Sequence, residues 1–274
     1  MLRFKSLASG SSGNATVVEA RDGICTSRLL VDCGPNLKTL LDRLAQAGVA
    51  GDGIDAVFVT HEHSDHIGCA SQFARKFQKP LWMSQGTSDA CFGASVLLFA
   101  VESSNTSGKT HPGPLLHIAR DTQPINIGAL SITPFTVPHD AREPLQLRCS
   151  DGTRHLGILT DLGQPTAHVL ENLAACHALL LECNHDADLL ATGRYPPFLK
   201  KRVGGVFGHL SNAQSAEIAA ALNHPQLNHV VAAHLSRQNN RPELAQIALA
   251  QALGCLAGDI AVADQFLGSD WFQV

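Results

Sequence analysis

Three imidazoles and an aspartate fall within six consecutive positions, His61-Glu62-His63-Ser64-Asp65-His66. Packing alone does not explain such a cluster. His61 and His63 are two apart, so an extended loop points both to one side, where they can grip one metal ion. Asp65 and His66 follow at a predicted helix entrance and can grip a second. Mixed nitrogen and oxygen donors suit Zn²⁺, with Mn²⁺ or Fe²⁺ as alternatives. The competing reading makes Asp65 a helix cap among solvated histidines. Further donors elsewhere in the chain argue against it.

The flanking pattern says how the cluster is held. Ile54 to Thr60 is an apolar, partly β-branched run that reads as a buried strand. From Ile67 to Phe77, apolar residues recur at helical spacing. The cluster therefore lies on a strand-to-helix connection, where functional residues of open sheets gather. Other donors follow predicted strands. His139 comes after Leu130 to Val137, Asp161 after Leu156 to Thr160, His209 after Val206 to Gly208, and His234 after Val230 to Ala233. These can close two sites: His61, His63 and His139 at one, Asp65, His66 and His234 at the other. Asp161 would bridge, because a carboxylate can serve two ions about 3.5–4 Å apart. Asp32, ending Arg28 to Val31, can reach back to a ligand histidine or simply make the turn before Gly34-Pro35. Glu182 and His185, after Ala178 to Leu181, can orient His209 or meet phosphate.

The rest of the chain bounds the problem. At 274 residues it can bury a large core, and no linker-like stretch divides it, so one domain over 1–274 is expected. Strand-rich halves with flanking helices fit two sheets packed face to face, a four-layer αββα sandwich. A hydrophobic content of 45% and a charged content of 16% exclude a disordered chain. The formal net charge of −4 gives no global attraction to a polyanion, which leaves only a local patch for that role. No signal peptide and no membrane span is visible. Eight cysteines without a C-x-x-C pair, mostly inside apolar runs, suggest reduced thiols in the cytoplasm. Ala8 to Ala15 is a Gly/Ser turn, either a plain hairpin or a substrate-facing loop. Residues 103–114 read as an irregular excursion, and His111 and His117 near it as incidental. Arg194, Lys200, Lys201 and Arg202 flank Tyr195-Pro196-Pro197. This run can hold a polyanionic backbone, with Tyr195 free to stack on a base, or be a solvated surface.

H-x-H-x-D-H with the later His, Asp and His resembles the metallo-β-lactamase superfamily along essentially the whole chain. Local wording is similar to its YycJ/WalJ-type branch: Leu7 to Asn14, Val137 to Ala141, Glu182 to Asp186, Gly193 to Pro196, Gly208 to Asn212 and Ala233 to Ser236. That branch lies near ribonuclease Z and the cyclic-phosphate phosphodiesterases. The resemblance implies two divalent ions per chain on the seven ligands above, with Asp65 and His209 as catalytic candidates. His209 matches a histidine that ribonuclease Z-like enzymes place near the leaving group. Lactam hydrolysis and di-iron oxygen chemistry are disfavoured by the ligand types. The implied function is a phosphodiesterase acting on nucleic acid, DNA before RNA, as an exonuclease of double-stranded ends. Hydrolysis of a small phosphodiester or thioester is the alternative. A metal-stabilised regulatory protein without turnover is the third reading.

Overall fold

A computed structural model describes residues 1–93 and 116–274. In chain order it holds β1 (Leu2–Ala8), β2 (Ala15–Asp22), β3 (Cys25–Val31), α1 (Leu37–Gln46), β4 (Ala56–Phe58), α2 (Ser64–Ile67), α3 (Ala70–Phe77), β5 (Leu81–Met83) and α4 (Gln85–Phe92). There follow β6 (Leu116–Ile118), β7 (Ile125–Ile127), β8 (Leu130–Thr136), β9 (Leu145–Ser150), β10 (His155–Leu159), α5 (Ala167–Leu173), β11 (Ala178–Glu182), α6 (Ala187–Thr192) and α7 (Pro197–Val203). The last elements are α8 (Asn212–Ala221), β12 (His229–Ala233), α9 (Pro242–Leu253), β13 (Ala261–Val262) and β14 (Phe272–Gln273).

The strands form two seven-stranded sheets, ordered β14-β1-β2-β3-β4-β5-β6 and β13-β12-β11-β10-β9-β8-β7. Each is antiparallel on one side and parallel on the other. β3, β4, β5 and β6 run parallel, as do β10, β11, β12 and β13. Strand alternation then sorts side chains into layers. Leu29, Val31 and Phe58 of one sheet meet Leu147, Ile158 and Leu180 of the other in a wholly apolar interior. Their neighbours Leu30 and Val57 face Leu40, Leu44 and Phe73 of α1 and α3. On the far side Leu179 and Leu181 face Val169, Ile218 and Leu249 of α5, α8 and α9. Strands covered on both faces read as unbroken apolar runs for this reason. Burying each such side chain contributes about 1.5–3 kcal/mol. The architecture is the four-layer αββα sandwich expected from the sequence.

The topology decides where chemistry can occur. β8 is antiparallel to β9 and β9 to β10, so β8 and β10 point the same way. The ends of β8, β10, β11 and β12 therefore emerge along one edge. The ends of β3 and β4 emerge beside them.

Several local expectations change. The predicted helix from Ile67 is two helices, α2 and α3, broken at Gly68 (φ +30°). The break lets Cys69 N–H donate to the Cys33 carbonyl, while Cys33 N–H donates to that of His66, at 2.9 and 2.8 Å. Val206 to Gly208 is not a strand. It is a turn after α7, held by Gly208 N–H to the Gly205 carbonyl and His209 N–H to the Val203 carbonyl, each 2.8 Å. His117 lies in β6 and stacks on Trp82 with ring centroids 4.4 Å apart. His111 and residues 103–114 lie outside the described residues. None of the helices described is long and apolar enough to cross a membrane.

Candidate active site

The His61–His66 loop lies over the end of β3. The Asp65 carbonyl accepts from Asn14 N–H at 2.7 Å. It also passes so close to Gly34 that a Cβ there would sit 1.9 Å from it. Only glycine permits that approach. The turn at 10–13 is closed by Gly13 N–H to the Gly10 carbonyl, 2.9 Å, and Ser11 on it lines the cleft over the site. It is both a hairpin turn and part of the rim.

Each ring nitrogen can be assigned from its partner. His63 Nε2–H donates to the Asp140 carbonyl at 3.2 Å, so Nδ1 keeps its lone pair. His139 Nδ1–H donates to the Gly208 carbonyl at 2.9 Å, so Nε2 keeps its own. His61 Nδ1–H reaches Thr60 Oγ1 at 3.0 Å. Thr60 O–H in turn donates to Asp32. The three free lone pairs converge: His61 Nε2 lies 3.0 Å from His63 Nδ1, and His139 Nε2 lies 3.3 Å from it. A tetrahedral ion with Zn–N bonds of about 2.0–2.1 Å needs nitrogens about 3.3 Å apart. Three lone pairs at this distance repel unless a cation lies among them.

The second set repeats the pattern. His66 Nδ1–H donates to Asp32 Oδ2 at 2.8 Å, which frees Nε2. That nitrogen faces Asp161 Oδ2 at 3.0 Å. Asp161 Oδ2 is buried and accepts no hydrogen bond among the described residues. Asn14 Nδ2 also approaches His66 Nε2, at 3.0 Å. His234 Nδ1–H donates to the Thr160 carbonyl at 2.6 Å, which turns Nε2 toward Asp65 Oδ2, 3.7 Å away. Asp65 Oδ2 is likewise 3.7 Å from His66 Nε2. Asp161 stands between the sets, within one donor group with His61 and His66 and within another with His209 and His234. The donor chemistry fits divalent cations.

Electrostatics agree. Burial holds His61 well below the usual imidazole range and His139 down at about 4, so both stay neutral donors. Burial also lowers His66 and His234, but Asp161 outweighs it with help from Asp32 at His66. His66 ends well above its ordinary value and His234 at about 9. The inner half of the site thus demands positive charge, supplied by protons or by metal.

His209 differs from the other histidines. Its Nδ1–H donates to Glu182 Oε1 at 2.7 Å. The other Glu182 oxygen accepts from Leu162 N–H at 2.8 Å. Burial lowers His209, but Glu182 and Asp161 raise it above the ordinary value. A capping box of Ser211 and Gln214 starts α8 two residues later, and Gly208 lets the turn press against α7, where a Cβ would meet the Arg202 and Val203 carbonyls at 2.2 Å.

The structure brings together all seven candidate ligands, with His209 beside them, around a cleft of about 300 Å³. Asp32 and Glu182 lie directly behind His66 and His209. His185 is buried near β11 and makes no bond to His209; its ring stays neutral, with burial pushing it down to about 4. Of the basic run, Tyr195 and Arg202 line the cleft. Lys201 lines the adjoining hollow. Lys200 turns away, its amine donating to the Ala191 carbonyl at 2.6 Å, and Arg194 stands outside both. Sequence reasoning missed Thr60, Asn14, Asp140 and Ser9, whose Oγ accepts from His234 N–H at 2.7 Å. Their only signals were adjacency to His61 and His139 and membership of the Gly/Ser turn.

Comparison with known proteins agrees with this geometry. The Beta-lactamase superfamily domain matches residues 27–234. Exodeoxyribonuclease YycJ of Bacillus anthracis is 31% identical over 92% of this chain and 89% of its own. Exodeoxyribonuclease WalJ of Streptococcus pneumoniae is 32% identical over 92% and 88%. The fold is shared with the metallo-beta-lactamase fold protein YhfI of Bacillus subtilis (TM-score 0.70, 19% identity, 99% of this chain and 98% of that one). It is also shared with human tRNase Z, short form (TM-score 0.65, 14% identity, 99% of each chain). The chain belongs to the metallo-β-lactamase superfamily, in the branch of YycJ and WalJ, and is a metal-dependent hydrolase of that family.

Proposed function

We propose that this hydrolase is a dinuclear phosphodiesterase that degrades DNA from its ends. The observation that carries the reading is Asp161, a buried carboxylate whose Oδ2 accepts no hydrogen bond among the described residues and faces the lone pair of His66. It stands between two donor sets as a shared ligand would. His61, His63 and His139 would hold one ion, Asp65, His66 and His234 the other. Zn²⁺ or Mn²⁺ suits these donors, with Fe²⁺ possible. Bound there, the pair supplies an activated water at neutral pH and a clamp on phosphoryl oxygens.

The chain's own groups do the rest. Asp65 lines the cleft, with its Oδ2 3.7 Å from both His66 Nε2 and His234 Nε2. His209 holds a proton on the ring nitrogen away from Glu182 and can pass it to the leaving alkoxide. Arg202, fixed by an ion pair with Asp140, faces the substrate's phosphates with Tyr195 beside it. The relatives named exodeoxyribonuclease support DNA over RNA as the polymer.

The test is a comparison of substrates. Metal-replete protein should release nucleotides from linear duplex DNA. It should spare a covalently closed circle and act weakly on single-stranded RNA, and a chelator should stop it. Cleavage of a small diester with no action on linear DNA would sink the reading.

Two further expectations arise from the positioning groups. Asp32→Ala removes the carboxylate that fixes the His66 ring. Loss of such an outer partner lowers metal affinity about 10–100-fold, read by titrating metal into stripped protein; an unchanged affinity would deny Asp32 this role. Replacing Lys201 and Arg202 with alanine should reduce the salt slope of duplex binding by about 0.9 for each phosphate no longer neutralised. A slope equal to wild type would move the backbone binding elsewhere on the surface.

A further inference from the structure

Next to the metal cleft lies a second hollow of about 390 Å³, lined by Phe198, Lys201, Arg202, Val206 and Phe207. Neither phenylalanine belongs to the metal site. Phe198 lies in α7 and is 73% exposed; Phe207 lies in the turn before His209 and is 57% exposed. Val206 beside them is 54% exposed. Large apolar side chains left this open and grouped together mark a surface built to meet something.

The hollow is continuous with the active site. Arg202 lines both. Asp140 and Gly208 line the hollow and also accept hydrogen bonds from His63 and His139 through their carbonyls. Phe207 is two residues from His209. An occupant of the hollow therefore lies one step from the reacting phosphate, not on a remote face.

The lining chemistry selects the occupant. Two rings and a valine offer flat apolar area, and Lys201 and Arg202 stand at the margin of it. Arg202 is neutralised in part by Asp140, while Lys201 has no ion pair among the described residues. A ligand that matches carries planar apolar groups on an anionic thread, which describes nucleobases on a phosphate backbone. We propose that Phe198 and Phe207 form a stacking platform for unpaired bases next to the scissile phosphate, with Lys201 on the adjacent backbone. This rests on nucleic acid being the substrate. It deepens that reading by requiring that the bases next to the scissile phosphate leave the duplex stack before cleavage, because a base stacked inside a duplex has both faces covered by its neighbours.

The experiment is a cycle between protein and substrate. Metal-replete wild type and the variants Phe198→Ala, Phe207→Ala, the double variant Phe198→Ala/Phe207→Ala, Phe198→Leu and Phe198→Trp are assayed on duplex DNA with intact terminal bases. The same duplex with abasic residues at the two terminal positions serves as the partner substrate. Metal content and melting temperature establish that each variant is folded and loaded. Loss of one base–aromatic stack lowers kcat/KM about 5- to 150-fold. Phe198→Ala and Phe198→Leu should fall by this much, chiefly through KM, and Phe198→Trp should keep wild-type activity. Abasic DNA should bring wild type down to the level of the double variant, which should no longer distinguish the two substrates, while each single alanine variant should distinguish them less than wild type does. If wild type degrades DNA but alanine variants match it, or if base removal and ring removal add independently, the platform is refuted and the exonuclease reading stands. If wild type does not act on DNA, both fall. Wild-type self-association that Phe198→Ala abolishes would assign the face to a second copy of the chain and overturn the proposal.

Discussion

Asp161→Ala is expected to lower turnover by at least about 10³-fold, because the ions at such sites supply several kcal/mol of charge stabilisation. On the proposed dinuclear reading, the metal content should fall from two ions per chain to one or none. The size of the effect follows from position. Asp161 is 1% exposed and lies within reach of both donor sets. Burial raises its carboxyl, yet His234 and His66 outweigh that and hold it well below the usual carboxylate range. Removing it leaves positively biased imidazoles facing one another across a void. His139→Ala is the informative companion. It deletes one nitrogen of the His61 set and leaves Asp65, His66 and His234 intact, so one ion should remain. Metal analysis of both proteins, purified without chelator in metal-replete medium, separates the outcomes. Two ions retained in Asp161→Ala would deny the bridging role.

The donors were legible in the sequence because parallel strands impose a rule. Strands buried on both faces read as short apolar runs, and the residue after each emerges at one edge of the sheet. Asp161 and His234 follow parallel strands and could be assigned to a common edge without coordinates, whereas His139 follows antiparallel β8 and joins them because two reversals turn β8 the same way as β10. The layers followed from the same runs. His209 reached the right place by a different route. Its predecessors Val206 and Phe207 are β-formers, but two glycines before them and Gly208 after them fold the segment back on α7. The signal for α7 was present, since Pro196-Pro197 sets an extended residue and then a helical first turn. Reading the basic run as a helix would have separated Lys200 from Lys201 and exposed Phe198 as its neighbour on the rim.

What local pattern could not carry is the set of bonds closed over long stretches of chain. Ser9 meets His234 across 225 residues, and Asp32 meets Thr60 across 28. Nothing in the spacing of either pair marks them as partners. Such bonds depend on which strand ends the two sheets bring together, and that is a property of their packing. Lys200 makes the converse point. Its charge suggests a phosphate partner, but one turn of helix directs it to a carbonyl at the end of α6.

His209→Ala should leave the metal content unchanged and slow turnover by about 10²–10⁴-fold, the usual cost of losing a positioned general acid. The geometry separates His209 from the ligands. Its Nδ1 is committed to Glu182 at 2.7 Å, and its ring borders the cleft while 21% of the side chain stays open to solvent. Burial lowers its pKa, but Glu182 and Asp161 raise it above the ordinary imidazole value, which favours the protonated ring that a leaving alkoxide would need. The sign fixes the pH profile. A group needed in its protonated form, with a raised pKa, supports full activity below that pKa and loses it as pH rises through it. Glu182→Gln should move this alkaline limb to lower pH, because the carboxylate that raises His209 is gone, while Nδ1–H keeps a hydrogen-bond acceptor in the amide oxygen. Leaving groups give the second readout. A p-nitrophenolate departs without a proton, whereas an alkoxide needs one, so the His209→Ala defect should shrink on the chromogenic diester and persist on DNA. Equal defects on both, or an alkaline limb unmoved by Glu182→Gln, would remove the acid role from His209 and leave it as a structural support for the Glu182 carboxylate.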